Sequence, residues 1–257
     1  MRAEFLESQL LKQHGFRHAF FTRRGGSSLA PYASLNFSAT VGDDPDAVRR
    51  NFGLGAEVLG VDADRLFYLS QVHGRDAREL PFGATREQVA RIEGDALFGA
   101  EAGVAICVRT ADCVPILAAD PVSGAVVAIH AGWRGVVRGV VEAGIELLAS
   151  RAGRHAKIVA AIGPHIRRDA FEVSEDVARE LEAASDARDA VDRTRQKPHV
   201  SLASIVGAKL VSLGIDASRI DDTGGCTASE PERFFSFRRD GKVGGRHLSA
   251  IVPHPRS

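Results

Sequence analysis

The sequence predicts a single α/β domain of the α+β type, in which mixed β-sheets are covered by outer helices. Three short apolar runs, at residues 103–110, 114–120 and 125–130, are typical of buried strands. Ser123 and Gly124 leave only a tight turn between the last two runs, and so short a connection joins antiparallel strands. Helical patterns alternate with these strands, so a mixed sheet is favoured over a doubly wound parallel one.

The first third of the chain is predicted to be rich in loops. Residues 18–22 (HAFFT) are typical of a strand, and the glycine-bearing stretch at residues 23–36 reads as a loop. Asp44 followed by Pro45 is a helix start, because an aspartate caps free N–H groups and proline suits the first helical position. Loops carry functional residues more often than regular elements do, so residues 23–36 are a candidate site segment.

The second half predicts further helices and strands. Apolar residues recur at helical spacing over residues 137–148, after a glycine turn, and residues 157–163 predict a strand. Further helices are predicted to start at Ser174 and at Ser201.

The end of the chain predicts a β-hairpin. The segment RFFSFRRDGKVGGRHLSAIV alternates phenylalanine with polar residues and turns at Asp240 and Gly241. No internal repeat or low-complexity linker interrupts the sequence, so residues 1–257 are expected to form one domain.

Composition favours a small-molecule partner. The chain has 33 basic and 33 acidic residues, so it lacks the net charge that holds nucleic acid or an anionic membrane. Charges interrupt the apolar clusters near the N-terminus, which is not typical of a signal peptide. The three cysteines are too few for a disulfide framework. We expect a cytoplasmic protein with free thiols, either a monomer or a weak homodimer.

Three separate segments carry side chains that can bind a metal. His73 lies in QVHG, Cys113 in TADCVP and His130 in IHAGWRG, each beside a glycine, a proline or a predicted strand end. Two imidazoles and one thiolate suit a catalytic zinc, whose fourth position stays open. The spacing matches no local zinc motif, so a loop histidine, a buried thiol and a core histidine are the alternative interpretation.

The turn after His130 is a candidate anion site. Gly132 and Gly135 allow backbone N–H groups at a helix start to approach a phosphate, with Arg134 nearby as a donor. Alternatively, the glycines only permit a tight strand-to-helix turn and Arg134 is solvated.

An ordered set of motifs resembles the YfiH family, also called laccase-domain or multicopper polyphenol oxidoreductase-like proteins. The resemblance runs from about Arg17 to Arg246, and its motifs are HAFFTRRGG, PYASLN, QVHG, GDAL, TADCVPIL, IHAGWRG, IGPHI, CT and FFSFRRDG. It implies a single domain with mixed sheets, related to the catalytic domain of cytotoxic necrotising factor. It also implies phosphorolysis of adenosine, inosine, guanosine and methylthioadenosine, and adenosine deamination, at a zinc site formed by His73, Cys113 and His130.

Three positions depart from the family pattern. The family usually has cysteine where this chain has His165, threonine where it has Gly99, and a GGVS-type loop where residues 25–28 read GGSS. None of the three is a proposed metal ligand, so the departures bear on substrate preference.

Further candidates lie in or beside the same motifs. Asp95 and Asp112 are expected to move a proton or to orient a histidine ligand, with turn residues as the alternative. Arg134 and Gly132 are assigned to phosphate. Possible substrate contacts from the flanking motifs are Arg23, Asn36 and Arg238. Cys107 and Cys226 are expected to be buried thiols.

The sequence is also compatible with three other functions. A copper polyphenol oxidase would need several coppers and many histidine ligands, whereas the sequence brings only three candidates together. A metal-free cysteine hydrolase would use Cys113 as nucleophile and His130 as base. A purine-binding or partner-binding module without catalysis is the third.

Overall fold

A computed structural model describes residues 2–153 and 157–254. Strands are numbered in chain order, β1 to β13: Phe5–Leu6, His18–Phe21, Leu66–Phe67, Ala77–Glu79, Ala96–Gly99, Ala105–Thr110, Val114–Ala119, Val126–Ala131, Val159–Ile162, Val191–Asp192, His199–Val200, Ile220–Asp222 and His247–Ile251. Helices are α1 to α8: Gln9–Gln13, Pro45–Leu59, Arg86–Val89, Trp133–Arg138, Val140–Ala152, Glu175–Ala183, Leu202–Ser212 and Phe237–Asp240.

Two mixed sheets form the centre of the molecule. The first has the strand order β1-β2-β13-β6-β3, and the second has the order β12-β9-β7-β8-β5-β4. In the first sheet β13 runs antiparallel to β6 while β3 runs parallel to it. In the second, β7 and β8 are antiparallel and β9 and β12 are parallel. The mixed sheets and the antiparallel turn between β7 and β8 confirm the predicted fold class.

The two sheets pack face to face. Along β7, Leu117 belongs to an apolar cluster that also contains Phe20 and Ile106 of the first sheet. Its neighbour Ile116 points to the opposite face, where it packs with residues of α5 and α7. This alternation follows from the two-residue period of a strand. Because both faces of the second sheet are covered at its centre, strands β7 and β9 are apolar throughout.

Helices cover the outer faces of both sheets. Helix α2 packs on the first sheet through Val48, Phe52 and Leu59. The predicted caps are confirmed, since Asp44 accepts a hydrogen bond from Asp46 N–H and Ser174 and Ser201 cap α6 and α7. No helix within the described residues is long and apolar enough to cross a bilayer.

The predicted C-terminal hairpin is wrong. Phe235 is fully buried whereas Phe237 is 48% exposed, so the two phenylalanines predicted to alternate with polar residues do not share one sheet face. Ser236 instead accepts a hydrogen bond from Arg239 N–H and caps the short helix α8. Only β13 is a strand in this segment, and it lies between β2 and β6.

Candidate metal centre

The candidate centre lies where the chain crosses from the first sheet to the second. Strand β6 ends at Thr110 and β7 begins at Val114, so Cys113 lies in the crossover itself. His130 is on β8, directly opposite Pro115 of β7, and His73 is in the loop between β3 and β4. Three segments that are distant in sequence therefore meet at one end of both sheets.

The donor atoms of the three residues are close enough to share one ion. One ligand atom from each of His73, Cys113 and His130 lies within 4.8 Å of the others. The Cys113 Sγ to His73 Nε2 distance is 3.7 Å. Tetrahedral zinc with ordinary Zn–S and Zn–N bonds holds such a pair about 3.6 Å apart. The two imidazoles and the thiolate thus fit a zinc ion in both chemistry and spacing.

Asp95 joins two of the candidate ligands. The carboxylate is fully buried and accepts a hydrogen bond from His130 Nδ1 at 2.7 Å. Backbone N–H groups of Val72, His73 and Gly74 donate to the same carboxylate at 3.2, 3.0 and 2.7 Å. The bond at Nδ1 leaves Nε2 of His130 for a metal, while the three backbone bonds hold the His73 loop.

The backbone at both sides of the centre has an uncommon conformation. His73 has φ 57° and Asp112 has φ 88°, in the region that favours glycine. The Asp112 carboxylate accepts hydrogen bonds from Thr227 Oγ1 at 2.6 Å, Ser236 Oγ at 3.1 Å and Arg238 N–H at 2.6 Å. These bonds hold the turn that presents Cys113, so Asp112 positions a candidate ligand.

The thiol and the buried imidazole act on each other electrostatically. Burial alone would raise the pKa of Cys113, but attraction to and hydrogen bonding with His130 and His73 lower it to about 6. Burial alone would lower the pKa of His130, but the negative charge at Cys113 and the bond to Asp95 raise it to about 9. The thiolate, which is the form that binds a metal, is therefore favoured at neutral pH.

Gly132 lies against the centre. A Cβ atom at this position would come within 2.8 Å of His73 Cδ2 and 3.0 Å of Cys113 Sγ. Glycine is therefore required here by close approach to two ligands, while its φ of −73° is open to any residue.

We expect Gly132→Ala to weaken zinc binding by about tenfold or more while the chain still folds, because the new methyl group displaces the exposed His73 ring. Competition with a chromogenic chelator measures the affinity. Gly207→Ala is the matched control, since a Cβ atom there meets nothing within 4 Å. Equal zinc affinity in the Gly132→Ala variant and the wild type would contradict this reading.

Other predicted contacts have partners of their own. Arg23 donates to the carbonyls of Ala33 and Pro231, and Arg238 to those of Ala170 and Glu172. Asn36 is buried and bonds Ser38, Asp43 and Arg246 N–H. Arg134 is exposed, with its guanidinium 4.4 Å from the Trp133 ring centroid. Their proposed contacts with substrate stay predictions.

The remaining cysteines and His165 lie outside the ligand cluster. Cys107 is buried in the first sheet, as expected, whereas Cys226 is only partly buried. His165 is buried beside Cys226, and burial lowers its pKa to about 4, so the ring is neutral.

Two supports of the centre were missed from the sequence. Thr227 and Ser236 bond Asp112 from more than a hundred residues away. The side-chain amide of Gln71, inside the QVHG motif, donates a hydrogen bond to the Arg109 carbonyl of β6 and accepts one from the Arg109 N–H. Thr227 lies in the CT motif and Gln71 in the QVHG motif, but neither motif shows which distant residue its side chain bonds.

Known proteins resemble this chain along nearly its whole length. A family model described as multi-copper polyphenol oxidoreductase laccase matches residues 17–254. A purine nucleoside phosphorylase of Streptomyces coelicolor is 40% identical over 90% of this chain and 93% of its own length. The Shigella flexneri protein named purine nucleoside phosphorylase YfiH is 38% identical over 90% of both chains.

Solved structures agree with these relatives. The crystal structure of YlmD from Geobacillus stearothermophilus superposes with a TM-score of 0.84 at 33% identity, covering 92% of this chain and 91% of that one. The YfiH protein of Bacillus licheniformis gives 0.87 at 26% identity, with 95% and 94% covered. Sequence and fold together establish that this chain belongs to the laccase-like YfiH family.

Proposed function

We propose that this protein is a zinc-dependent purine nucleoside phosphorylase that also deaminates adenosine. The single observation that carries the proposal is the convergence of the donor atoms of His73, Cys113 and His130, with His130 held by the buried Asp95 carboxylate. Relatives 34% to 40% identical to this chain are named purine nucleoside phosphorylase, which supports the reaction class. Adenosine, inosine, guanosine and methylthioadenosine are the proposed substrates, with phosphate as the second one.

Zinc is proposed over copper from the donor set. Two imidazole nitrogens and one thiolate leave a fourth position for a substrate or water, and at a catalytic site the ion supplies a Lewis acid there. A multicopper oxidase needs several metal sites, whereas the described residues contain one cluster of three or more metal-binding side chains. That count argues against laccase chemistry despite the name of the family model.

In phosphorolysis a phosphate oxygen forms a bond to C1′ of the ribose. The C1′–N9 bond breaks, its electron pair leaves on the purine, and the purine takes up one proton. The chain must hold phosphate against C1′ and place a proton near the departing base. Asp95 keeps His130 in the orientation needed at the centre, and Arg134 with the Gly132 backbone is the phosphate contact predicted from the sequence.

Product analysis tests the proposal directly. Zinc-loaded protein incubated with adenosine and phosphate is expected to release adenine and ribose 1-phosphate, while without phosphate it forms inosine only. Chromatography separates the nucleosides and bases, and an enzymatic assay measures ribose 1-phosphate. Recovery of unchanged adenosine under both conditions would overturn the nucleoside assignment.

A metal-free cysteine hydrolase is the second candidate, favoured by one observation. Cys113, His130 and Asp95 form a connected series of thiol, imidazole and carboxylate, the arrangement of a cysteine nucleophile with an oriented base. Chelation separates the two candidates. A zinc thiolate resists alkylation by iodoacetamide until the metal is removed, whereas a nucleophile reacts and still turns over without metal.

A further inference from the structure

Two arginines beside the candidate centre lack an acidic partner. The Arg109 and Arg246 guanidinium groups form no ion pair with any carboxylate in residues 2–153 and 157–254. Both side chains are partly buried, so water only partly replaces the missing counterion. An arginine withdrawn from water without an anion is costly, which makes this pair a candidate anion site.

The strand register brings the two arginines to the same place. Leu248 of β13 pairs with Arg109 of β6, and Arg246 lies two residues before Leu248. Arg246 directly precedes β13, and continuing the alternation of that strand by one residue places its side chain on the sheet face that carries Arg109. Both are at the β6 end from which the chain crosses to Cys113.

Neighbouring groups hold the guanidinium groups without neutralising them. Arg109 lies over the Tyr68 ring, 4.2 Å from its centroid, and its backbone is bracketed by Gln71 of the loop that carries His73. Arg246 donates through Nη1 to the carbonyls of Gly244 and Gly245. The planar groups are therefore oriented in advance, with donors left over for a ligand.

The pKa shifts of the two arginines agree with partly buried positive charges that no carboxylate among the described residues neutralises. Burial lowers the pKa of Arg109, and repulsion from Arg246 lowers it further, against an attraction to Tyr68. Burial also lowers the pKa of Arg246, whereas attraction to Cys113 and Asp112 raises it. The attraction to Cys113 indicates that the Arg246 guanidinium group lies near a candidate metal ligand.

The arginines singled out from the sequence differ from this pair. Arg23 already uses both Nε and Nη1 to donate to carbonyls, and Arg238 is exposed to water. Arg134 is exposed, so water solvates its charge and no bound anion is needed to stabilise it. Arg109 and Arg246 combine partial burial and donors that no described carboxylate accepts with a position at the end of β6 that leads to Cys113.

We propose that Arg109 and Arg246 form the phosphate subsite of this protein, an inference that rests on the phosphorylase function proposed above. Two guanidinium groups bind the oxygens of a phosphate dianion by charge-assisted hydrogen bonds. Phosphate bound there lies beside the metal ligands, where it meets the ribose of a nucleoside. The pair thereby supplies the anion clamp that phosphorolysis requires.

Calorimetric titration of zinc-loaded protein with inorganic phosphate tests the subsite without any turnover. Arg109→Met and Arg246→Met are each expected to raise the phosphate dissociation constant roughly tenfold to a hundredfold. Arg246→Lys keeps the charge with fewer donors and should lie between, which guards against a Met variant that folds poorly. Arg65→Met is the matched control, because Arg65 also stacks on an aromatic ring but is paired with Glu101.

Steady-state kinetics separate failure of the subsite from failure of the function. With an active wild type, both Met variants should raise the phosphate KM by a larger factor than they change the nucleoside KM. Unchanged phosphate affinity and KM in both, or a loss confined to Arg134→Ala, would overturn the subsite and leave the phosphorylase standing. Another outcome is a wild type that binds phosphate but cleaves no nucleoside. Loss of that phosphate binding in both Met variants would then support the subsite, while the absence of cleavage would refute the proposed function.

A nucleotide is the other source of the same phosphate group. Adenosine 5′-monophosphate that displaces inorganic phosphate in the wild type, and binds more tightly than it, would overturn the assignment to the free anion. Competition weaker than that of phosphate itself supports it.

Discussion

Replacing His73, Cys113 or His130 by alanine is expected to reduce bound zinc from about one ion per chain to almost none. Each residue supplies one of three donor atoms within 4.8 Å of one another, and two protein ligands rarely retain a catalytic zinc. Turnover should fall by roughly a thousandfold or more, because the ion provides several kcal/mol of transition-state stabilisation. Elemental analysis of each purified variant measures the metal directly.

The fold should survive the His73 and Cys113 substitutions, and that can be checked separately. His73 is exposed and Cys113 only partly buried, so their loss leaves the apolar clusters intact. His130→Ala removes a buried partner of Asp95 and should be the least stable of the three variants. Circular dichroism and thermal unfolding of the apo proteins compare their stability. Cys226→Ser is the matched control, since it removes a thiol outside the cluster and should keep its zinc. Full zinc occupancy in all three alanine variants would refute the metal assignment.

Patterns within short segments of the sequence were sufficient to predict most of the helices and strands. Strands β6, β7 and β8 are continuous apolar runs because helices or the other sheet cover both of their faces. The caps at Ser174 and Ser201 were recognisable because a cap is a contact between residues three apart. The pairing of β13 between β2 and β6 was not, since it joins the two ends of the chain.

The C-terminal error has the same origin. Alternating phenylalanines suggested a strand, but the segment around Phe235 is fixed by contacts from distant parts of the chain. Asp112 accepts hydrogen bonds from Ser236 Oγ and Arg238 N–H, and Phe235 N–H donates to His247 Nε2. Such tertiary bonds override local propensity, and no pattern within the segment announces them.

The candidate centre was accessible through its motifs, while its support was not. His73, Cys113 and His130 were identified because two imidazoles and a thiolate stood beside glycine or strand ends, and a family resemblance joined them. The separate tasks of Asp95 and Asp112 could not be assigned, because the sequence allowed each of them to be either a site residue or a turn residue. Only the fold shows that Asp95 bonds His130, whereas Asp112 bonds Thr227.

Substituting Asp95 by asparagine is expected to weaken zinc binding roughly tenfold to a hundredfold and to lower the free energy of unfolding by about 3 kcal/mol. The carboxylate is fully buried and all its recorded partners are N–H donors, two on each oxygen. Asparagine keeps the shape but offers one oxygen, so its NH₂ group must face two of those donors. If it faces His130 Nδ1, the ring turns a protonated Nε2 toward the metal position.

Asp120→Asn provides the comparison that separates a metal effect from a general loss of stability. Asp120 is also fully buried and accepts hydrogen bonds from two backbone N–H groups, those of Ser123 and Lys157, but it holds the turn between β7 and β8 at the opposite end of those strands. Urea unfolding should show both variants destabilised, whereas chelator competition should show weaker zinc binding for Asp95→Asn alone. If the two variants bind zinc equally well, Asp95 supports only the loop fold and does not orient the ligands, because an orienting residue must change the affinity of the atoms it holds.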